Sequence, residues 1–244
     1  PPYTFLWQIS TTSATSGFIN APGVRNQRNY TPPSNLNATT WFRRVVTDYG
    51  TSITDISRPV MIEVHQNIKN NSIGNPDTLC YGQNTQVLHS LLPLQDGNGI
   101  YSFSWESSTD NVNFTSLAVT TESYQSSSGL NQTTWYRRIV NSGACKNTSP
   151  SLRINVIPNI QNNTISPTSQ EICSGALFSN LTGSISPVLS GGDDTYRFRW
   201  ESSSNGTTWV TASGTNNDSG YDPSETASYF PGQQYFRRVV LSGS

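Results

Sequence analysis

Charge is what this sequence has least of. Only 12% of its 244 residues are Asp, Glu, Lys or Arg, against a usual share of about 25%, and its polarity comes from Ser, Thr, Asn and Gln instead. The formal net charge of −1 and the pI near 6.1 leave no basic field for a phosphate backbone, which excludes nucleic-acid binding as the expected function. No run of about 18 apolar residues occurs, so no segment reads as a membrane-spanning helix. The residues that fill helices, Ala, Leu, Glu and Lys, are scarce, whereas aromatics make up 11% and Val, Ile and Thr are abundant. That balance predicts an all-β chain.

Catalytic chemistry is equally thin. The two histidines, His65 and His89, have no Cys or acid nearby in a recognisable constellation, and HExxH, GxSxG and P-loop motifs are missing. The acids are too few and scattered to form a paired-carboxylate site. Asp193-Asp194 and the "DGNG" stretch at Asp96–Gly99 read as turns rather than Ca²⁺ ligands, because further oxygen ligands do not accompany them. The expectation is a non-catalytic protein with no cofactor and no metal. Sequons at Asn37, Asn113, Asn131 and Asn205 are expected by chance in a chain so rich in Asn, Ser and Thr.

What is present is repetition. "TTWYRRIV" at Thr133–Val140 is written again as "TTWFRRVV" at Thr39–Val46 and "QQYFRRVV" at Gln233–Val240. "YTFLW" at Tyr3–Trp7 recurs as "YSFSW" at Tyr101–Trp105 and "YRFRW" at Tyr196–Trp200, and "IKNNSI" at Ile68–Ile73 recurs as "IQNNTI" at Ile160–Ile165. These markers keep step at a period of roughly 95 residues, the mark of tandem domains. The boundaries fall at 1–67, 68–159 and 160–244. On this reading only the middle unit is complete; the first lacks its opening strands, the last lacks its final strand, and the chain, which starts at Pro1 without a signal peptide or methionine, is a window on a longer array.

Within each unit the pattern has a period of two. Tyr101, Phe103 and Trp105 share one face of a strand, as do Tyr196, Phe198 and Trp200, while the alternate positions vary, so the aromatic face is the inward one. "SLRINVIP" alternates likewise, with Leu152, Ile154 and Val156 inward. Turn signals such as "DGNG", "SNGT" and "NSGA" separate strands at hairpin spacing. About seven short strands in some 90 residues predict immunoglobulin-like β-sandwiches. The expected aromatic core is Trp7, Trp105, Trp200, Trp41, Trp135 and Tyr235. The junction at Pro158 has no Gly/Ser-rich spacer, so neighbouring domains are expected end to end with limited bending.

Three cysteines fit the repeat: Cys80 and Cys173 hold equivalent places before the aromatic strand, and Cys145 lies seven residues after Arg138. The expected pairing is a Cys80–Cys145 disulfide, with the partner of Cys173 at position 245, and hence an oxidising compartment. Reduced thiols or metal ligands are the alternatives. The pairs Arg43-Arg44, Arg137-Arg138 and Arg237-Arg238 are candidate surface contacts for carboxylates or sulfated glycans. The competing reading is structural: one Arg of each pair covers the aromatic layer, pairing with Glu106 or Glu201, and the other is solvated. Gln8 follows Trp7 where Glu would be needed, so the ion pair is not general.

Taken together, W-[EQ]-x-S, W/Y-[FY]-R-R-[VI]-V, S-G-x-C and I-x-N-N-x-I resemble the Ig-like repeats of giant secreted surface proteins of Bacteroidota, including gliding-motility-type adhesins. The resemblance covers the whole chain and implies export by the type IX secretion system, attachment at the cell surface, and an O-glycan site at Thr78 within Asp77-Thr78-Leu79. The expected function is a structural stalk of an extracellular adhesin or filament, with surface glycans or other cell-surface proteins and neighbouring repeats as partners. The alternative is a carbohydrate-binding or spacer module of a secreted polysaccharide-degrading enzyme.

Overall fold

A computed structural model describes residues 2–173, 176–183, 186–226 and 232–243. It is all-β, with a single short 3₁₀ turn at Pro223–Thr226 among the described residues. The first repeat contains β1 (Tyr3–Ser10), β2 (Ile19–Asn20), β3 (Thr40–Asp48), β4 (Thr54–Ile56) and β5 (Val60–Ile62). They form one sheet in the order β2-β1-β3-β4, with β5 also on β3.

The second repeat contains β6 (Ile73–Gly74), β7 (Thr78–Cys80), β8 (His89–Ser90), β9 (Ser102–Ser108), β10 (Thr115–Ser116), β11 (Thr134–Ser142), β12 (Cys145–Thr148) and β13 (Leu152–Ile157). Its main sheet runs β10-β9-β11-β13-β7, with β12 on β11, and β6 pairs with β8. All ladders are antiparallel except β13 with β7, where Val156 lies opposite Leu79. Ile73, Leu79 and Leu88 meet Trp105, Tyr136, Ile154 and Val156 in one buried cluster, so the core lies between the main sheet and the β6–β8 side. The third repeat has β14 (Ile165–Ser166), β15 (Thr182–Gly183), β16 (Tyr196–Ser203), β17 (Val210–Thr211) and β18 (Tyr235–Ser242), with a core of Leu181, Trp200, Ala212 and Tyr221. The architecture is a tandem array of immunoglobulin-like sandwich repeats.

The expected disulfide is not formed: Cys80, Cys145 and Cys173 are all free thiols. Register explains why. Cys80 lies opposite Ile157, beyond the end of β11 that begins at Thr134, whereas Cys145 lies opposite Ser142 at the other end of that strand. The intervening eight steps span roughly 26 Å at about 3.3 Å per residue, and a bridge needs Cα atoms within about 7 Å. Cys80 and Cys173 share a place in the repeat sequence, but Cys145 lies at the far end of β11 from Cys80. Alkylation of the folded chain is expected to label exposed Cys80 and Cys173 readily and half-buried Cys145 more slowly. A Cys80–Cys145 peptide in a non-reducing map would restore the bridge.

Candidate functional site

The aromatic and arginine strand is the centre of each repeat, and the register against its neighbour decides which side chains point inward. Trp105 lies opposite Arg138, Phe103 opposite Val140 and Ser107 opposite Tyr136. The same pairs recur as Trp7 with Arg44 and as Trp200 with Arg238. Cross-strand partners share a face. Since Trp105 and Trp200 are 0% exposed, Arg138 and Arg238 must lie within the sandwich, and Arg44 shares the inner face with the half-buried Trp7.

Arg138 is completely buried and Arg238 nearly so. Both share one set of hydrogen bonds, which we term the arginine clasp, and Nη2 of Arg138 is buried without a partner among the described residues. The Nε–H of Arg138 donates to Asn71 Oδ1 (3.1 Å), and Asn71 Nδ2 donates back to the Arg138 carbonyl (3.2 Å). Arg238 and Asn163 repeat this at 3.0 and 3.1 Å. One Nη1 donates to the carbonyl of Glu122 in one repeat and of Ser219 in the other. Each guanidinium also lies over an aromatic ring, Arg138 at 5.4 Å from Phe103 and Arg238 at 5.3 Å from Phe198. Burial pushes both below the ordinary arginine value, and the Glu122 charge draws Arg138 partly back; a guanidinium keeps its charge even so.

The carbonyls come from a loop that carries a tyrosine. Tyr30, Tyr124 and Tyr221 each stand between two core aromatics: Tyr124 is 5.5 Å from Trp105 and 5.3 Å from Tyr136, Tyr221 is 5.5 Å from both Trp200 and Phe236, and Tyr30 is 5.6 Å from Trp7 and 6.0 Å from Phe42. Three residues before each tyrosine, a carbonyl accepts the tryptophan indole N–H: Gln27, Thr121 and Asp218. Burial raises the phenol of Tyr136 well above the ordinary range.

The first arginine of each pair faces outward. Arg137 Nε donates to Glu106 Oε2 at 2.6 Å, and Arg237 does the same to Glu201. In the first repeat the amide Gln8 replaces the carboxylate, and Arg43 Nε donates to its Oε1 at 2.9 Å. A ring covers each of these arginines: Phe18, Phe114 or Trp209. The Arg237 hydrogen bond holds the Glu201 carboxyl below the usual carboxylate range, with Arg199 contributing.

These positions revise two expectations. Arg138 and Arg238 are core groups rather than surface contacts, and Arg44, on the same inner face, is half-buried; Arg43, Arg137 and Arg237 face outward and are partly exposed. Trp41 and Trp135 are only half-buried, and Tyr235 is 40% exposed; Phe42, Tyr136 and Phe236 take the inward places. Trp7, Trp105 and Trp200 do sit on the inner face, although Trp7 is half-buried. Thr78 is exposed on β7, and its N–H is held by the Asp77 carboxylate. Sequence reasoning missed Asn71, Asn163 and the tyrosines. The two asparagines lie in the quoted I-x-N-N-x-I marker; the tyrosines sit in loops of unequal length.

A second constellation forms where one repeat meets the next. Gly97 N–H donates to the Gln66 carbonyl, and Gly192 N–H donates to the Pro158 carbonyl, both at 2.9 Å. Ile68 and Ile160 pack beside these glycines. Ser142 Oγ and Ser242 Oγ accept from the N–H of Asn98 and Asp193, and Tyr101 and Tyr196 donate to the carbonyls of Asp96 and Gly191. The first asparagine of each marker, Asn70 or Asn162, has positive φ and reaches the carbonyl of Pro93 or Val188. Both junctions are therefore built from the same bonds. Gly97 and Gly192 have positive φ, and a Cβ on either would collide with the serine; glycine is required there.

Among the described residues, no three His, Cys, Asp or Glu side chains converge as a metal site would require, and no helix is long and apolar enough to cross a membrane. The geometry defines repeating Ig-like modules whose distinctive chemistry is internal, an arginine clasp and a joint. The chain belongs to the family described as a domain of unknown function (DUF8696), whose profile matches residues 3–66, 69–158 and 161–244. No curated protein matches it. Similar solved structures include the three N-terminal domains of the bacteriophage RB49 highly immunogenic outer capsid protein, at 14% identity and a TM-score of 0.37, over 87% of this chain and 69% of that one. Another is Sidekick-1 immunoglobulin domains 1–5, at 12% identity and a TM-score of 0.27, over 99% of this chain and 53% of that one.

Proposed function

We propose that the chain is a non-catalytic stalk segment of a large extracellular bacterial surface adhesin or filament protein, a rod that carries a binding tip outward or adds weak multivalent contacts along its length. The observation that supports this most is the joint. The same backbone bond from a left-handed glycine to the preceding linker occurs at both junctions, so successive repeats are attached alike, as a spacer of regular length needs. Placement at the surface of a gliding-motility-type bacterium, after type IX export, follows from the resemblance of the repeat motifs and belongs to the same proposal.

Small-angle scattering should give a narrow distribution of maximum dimension for the wild-type chain and a broader one for Gly97→Val, whose side chain collides with Ser142 and breaks the joint. Equal profiles would deprive the stalk of its stiffness. An antibody raised against the chain should decorate intact cells; staining only after lysis would remove the surface assignment.

A further inference from the structure

Two turns carry an asparagine followed by a glycine, Asn98-Gly99 ahead of β9 and Asn205-Gly206 after β16, and the sequence has no other Asn-Gly step. Each has a counterpart in the other repeat whose first residue is aspartate: Asn98 corresponds to Asp193, and Asn205 to Asp110. The bonds are the same in both members of each pair. Asn98 N–H donates to Ser142 Oγ at 2.9 Å, and its Oδ1 accepts from that hydroxyl and from the Ile100 N–H at 3.0 Å. Asp193 N–H donates to Ser242 Oγ, and its Oδ1 accepts from that hydroxyl and from the Thr195 N–H at 3.0 Å. At the other turn Asn205 Oδ1 accepts from Ser203 Oγ and from the N–H groups of Thr207 and Thr208. Asp110 Oδ1 accepts likewise from Ser108 Oγ, Val112 and Asn113.

The second residue is what separates the pairs. Gly99 and Gly206 have positive φ, but so do their counterparts Asp194 and Asn111, at 64° and 59°, a region that Asn and Asp visit routinely. A Cβ on Gly99 would meet nothing within 4 Å, and one on Gly206 would make ordinary contact with Tyr235 at 3.7 Å. Neither turn therefore demands glycine. The chain places it here only behind asparagine. Glycine leaves its own backbone freest to bring its nitrogen toward the preceding side chain, and both asparagines are exposed to water.

We propose that Asn98 and Asn205 are self-modification sites, converted to aspartate through a cyclic imide in the folded chain. The Gly99 nitrogen attacks Asn98 Cγ; a C–N bond forms, the nitrogen gives up its proton, and the side-chain amide takes up a proton and leaves as ammonia. Water then adds at Cγ and breaks the new C–N bond, which restores the main chain with a carboxyl in place of the amide. The balance is asparagine plus water giving aspartate plus ammonia, with no redox partner. Asn205 and Gly206 react in the same way. The donors on each Oδ1 face the charge that develops there as the nitrogen adds, and they hold the product afterwards. The counterparts carry this preference: the Asn113 N–H and its companions keep the Asp110 carboxyl well below the usual carboxylate range, and the Ser242 hydroxyl does so for Asp193. Opening the imide at its other carbonyl would give isoaspartate, with a longer main chain and its carboxylate drawn off these donors, so the fold selects ordinary aspartate. At the joint, conversion turns the neutral Ser142 hydrogen bond into a charge-assisted one.

The test is peptide mapping by mass spectrometry after the whole chain has stood at neutral pH, folded in one sample and in denaturant in another. In the folded chain, positions 98 and 205 are expected to convert ahead of every other asparagine and to give aspartate, whereas the denatured chain gives both isomers. Gly99→Asp combined with Gly206→Asn, which installs the counterparts' residues, should keep the wild-type circular dichroism and stop conversion at both sites. Asn98→Asp combined with Asn205→Asp should melt no lower than the wild type. Amides kept at 98 and 205 in the folded chain but lost in denaturant would overturn the proposal, because the turns would then shield the step. Isoaspartate as the main product of the folded chain, unchanged conversion in the glycine variant, or a lower melting temperature of the aspartate variant would each overturn it as well.

Discussion

Replacing Arg138 by alanine should destabilise the second repeat by about 4 kcal/mol, far more than the same change at its neighbour Arg137. Removing Arg138 strands the Asn71 amide oxygen and the Glu122 carbonyl, which accept from it, and each unsatisfied buried acceptor costs about 1–3 kcal/mol. A cavity over Phe103 and Trp105 adds to that. Arg138→Lys keeps the charge but cannot reproduce a planar fork and should recover only part of the loss. Arg137→Ala breaks a pair whose members are 34% and 20% exposed, so about 1 kcal/mol or less is expected. Urea titration followed by amide exchange within β9 and β11 isolates this repeat from its neighbours. Equal losses at the two positions would mean that the inward face has been misread.

Trp105→Ala is the second large effect, expected at about 3–5 kcal/mol as the truncation of a fully buried aromatic. It also frees the Thr121 carbonyl that accepts the indole N–H at 2.9 Å and removes one neighbour of Tyr124. Trp135→Ala, on the outer face under Arg153, should cost about 1 kcal/mol, and Trp7→Ala should cost less than Trp105→Ala because its face is partly open. Circular dichroism melts of the three variants check the order; a Trp135 effect as large as that of Trp105 would return the outer tryptophans to the core.

The all-β class, the repeat and the inward aromatic strand were legible because period-two patterning and self-similarity are local properties of the sequence. The face of "WYRRIV" was not, since two aromatics and two arginines in succession satisfy either phase. Size favoured Trp135 over Tyr136, and charge favoured solvent for whichever arginine was left without Glu106. The resolving signal was the pairing of this strand with "YSFSW": once Trp105 is inward, its partner opposite, Arg138, is inward too. Accepting a buried arginine also required acceptors from Asn71 and Glu122, distant in sequence and recognisable only after folding. The cysteines failed for a related reason, because rank along the chain does not report which end of a strand a residue occupies.

The joint has a consequence for how such a chain can grow. On its upstream side its hydrogen bonds go to backbone carbonyls, those of His65 and Gln66 at one junction and of Pro158 at the other, residues with nothing in common as side chains. Every group with a required identity, the glycine, the serine and the tyrosine, belongs to the downstream module. A duplicated or transplanted module therefore brings its whole coupling apparatus with it and makes no demand on the sequence it lands behind. Recombination can lengthen or reorder the array without compensating changes at the seam.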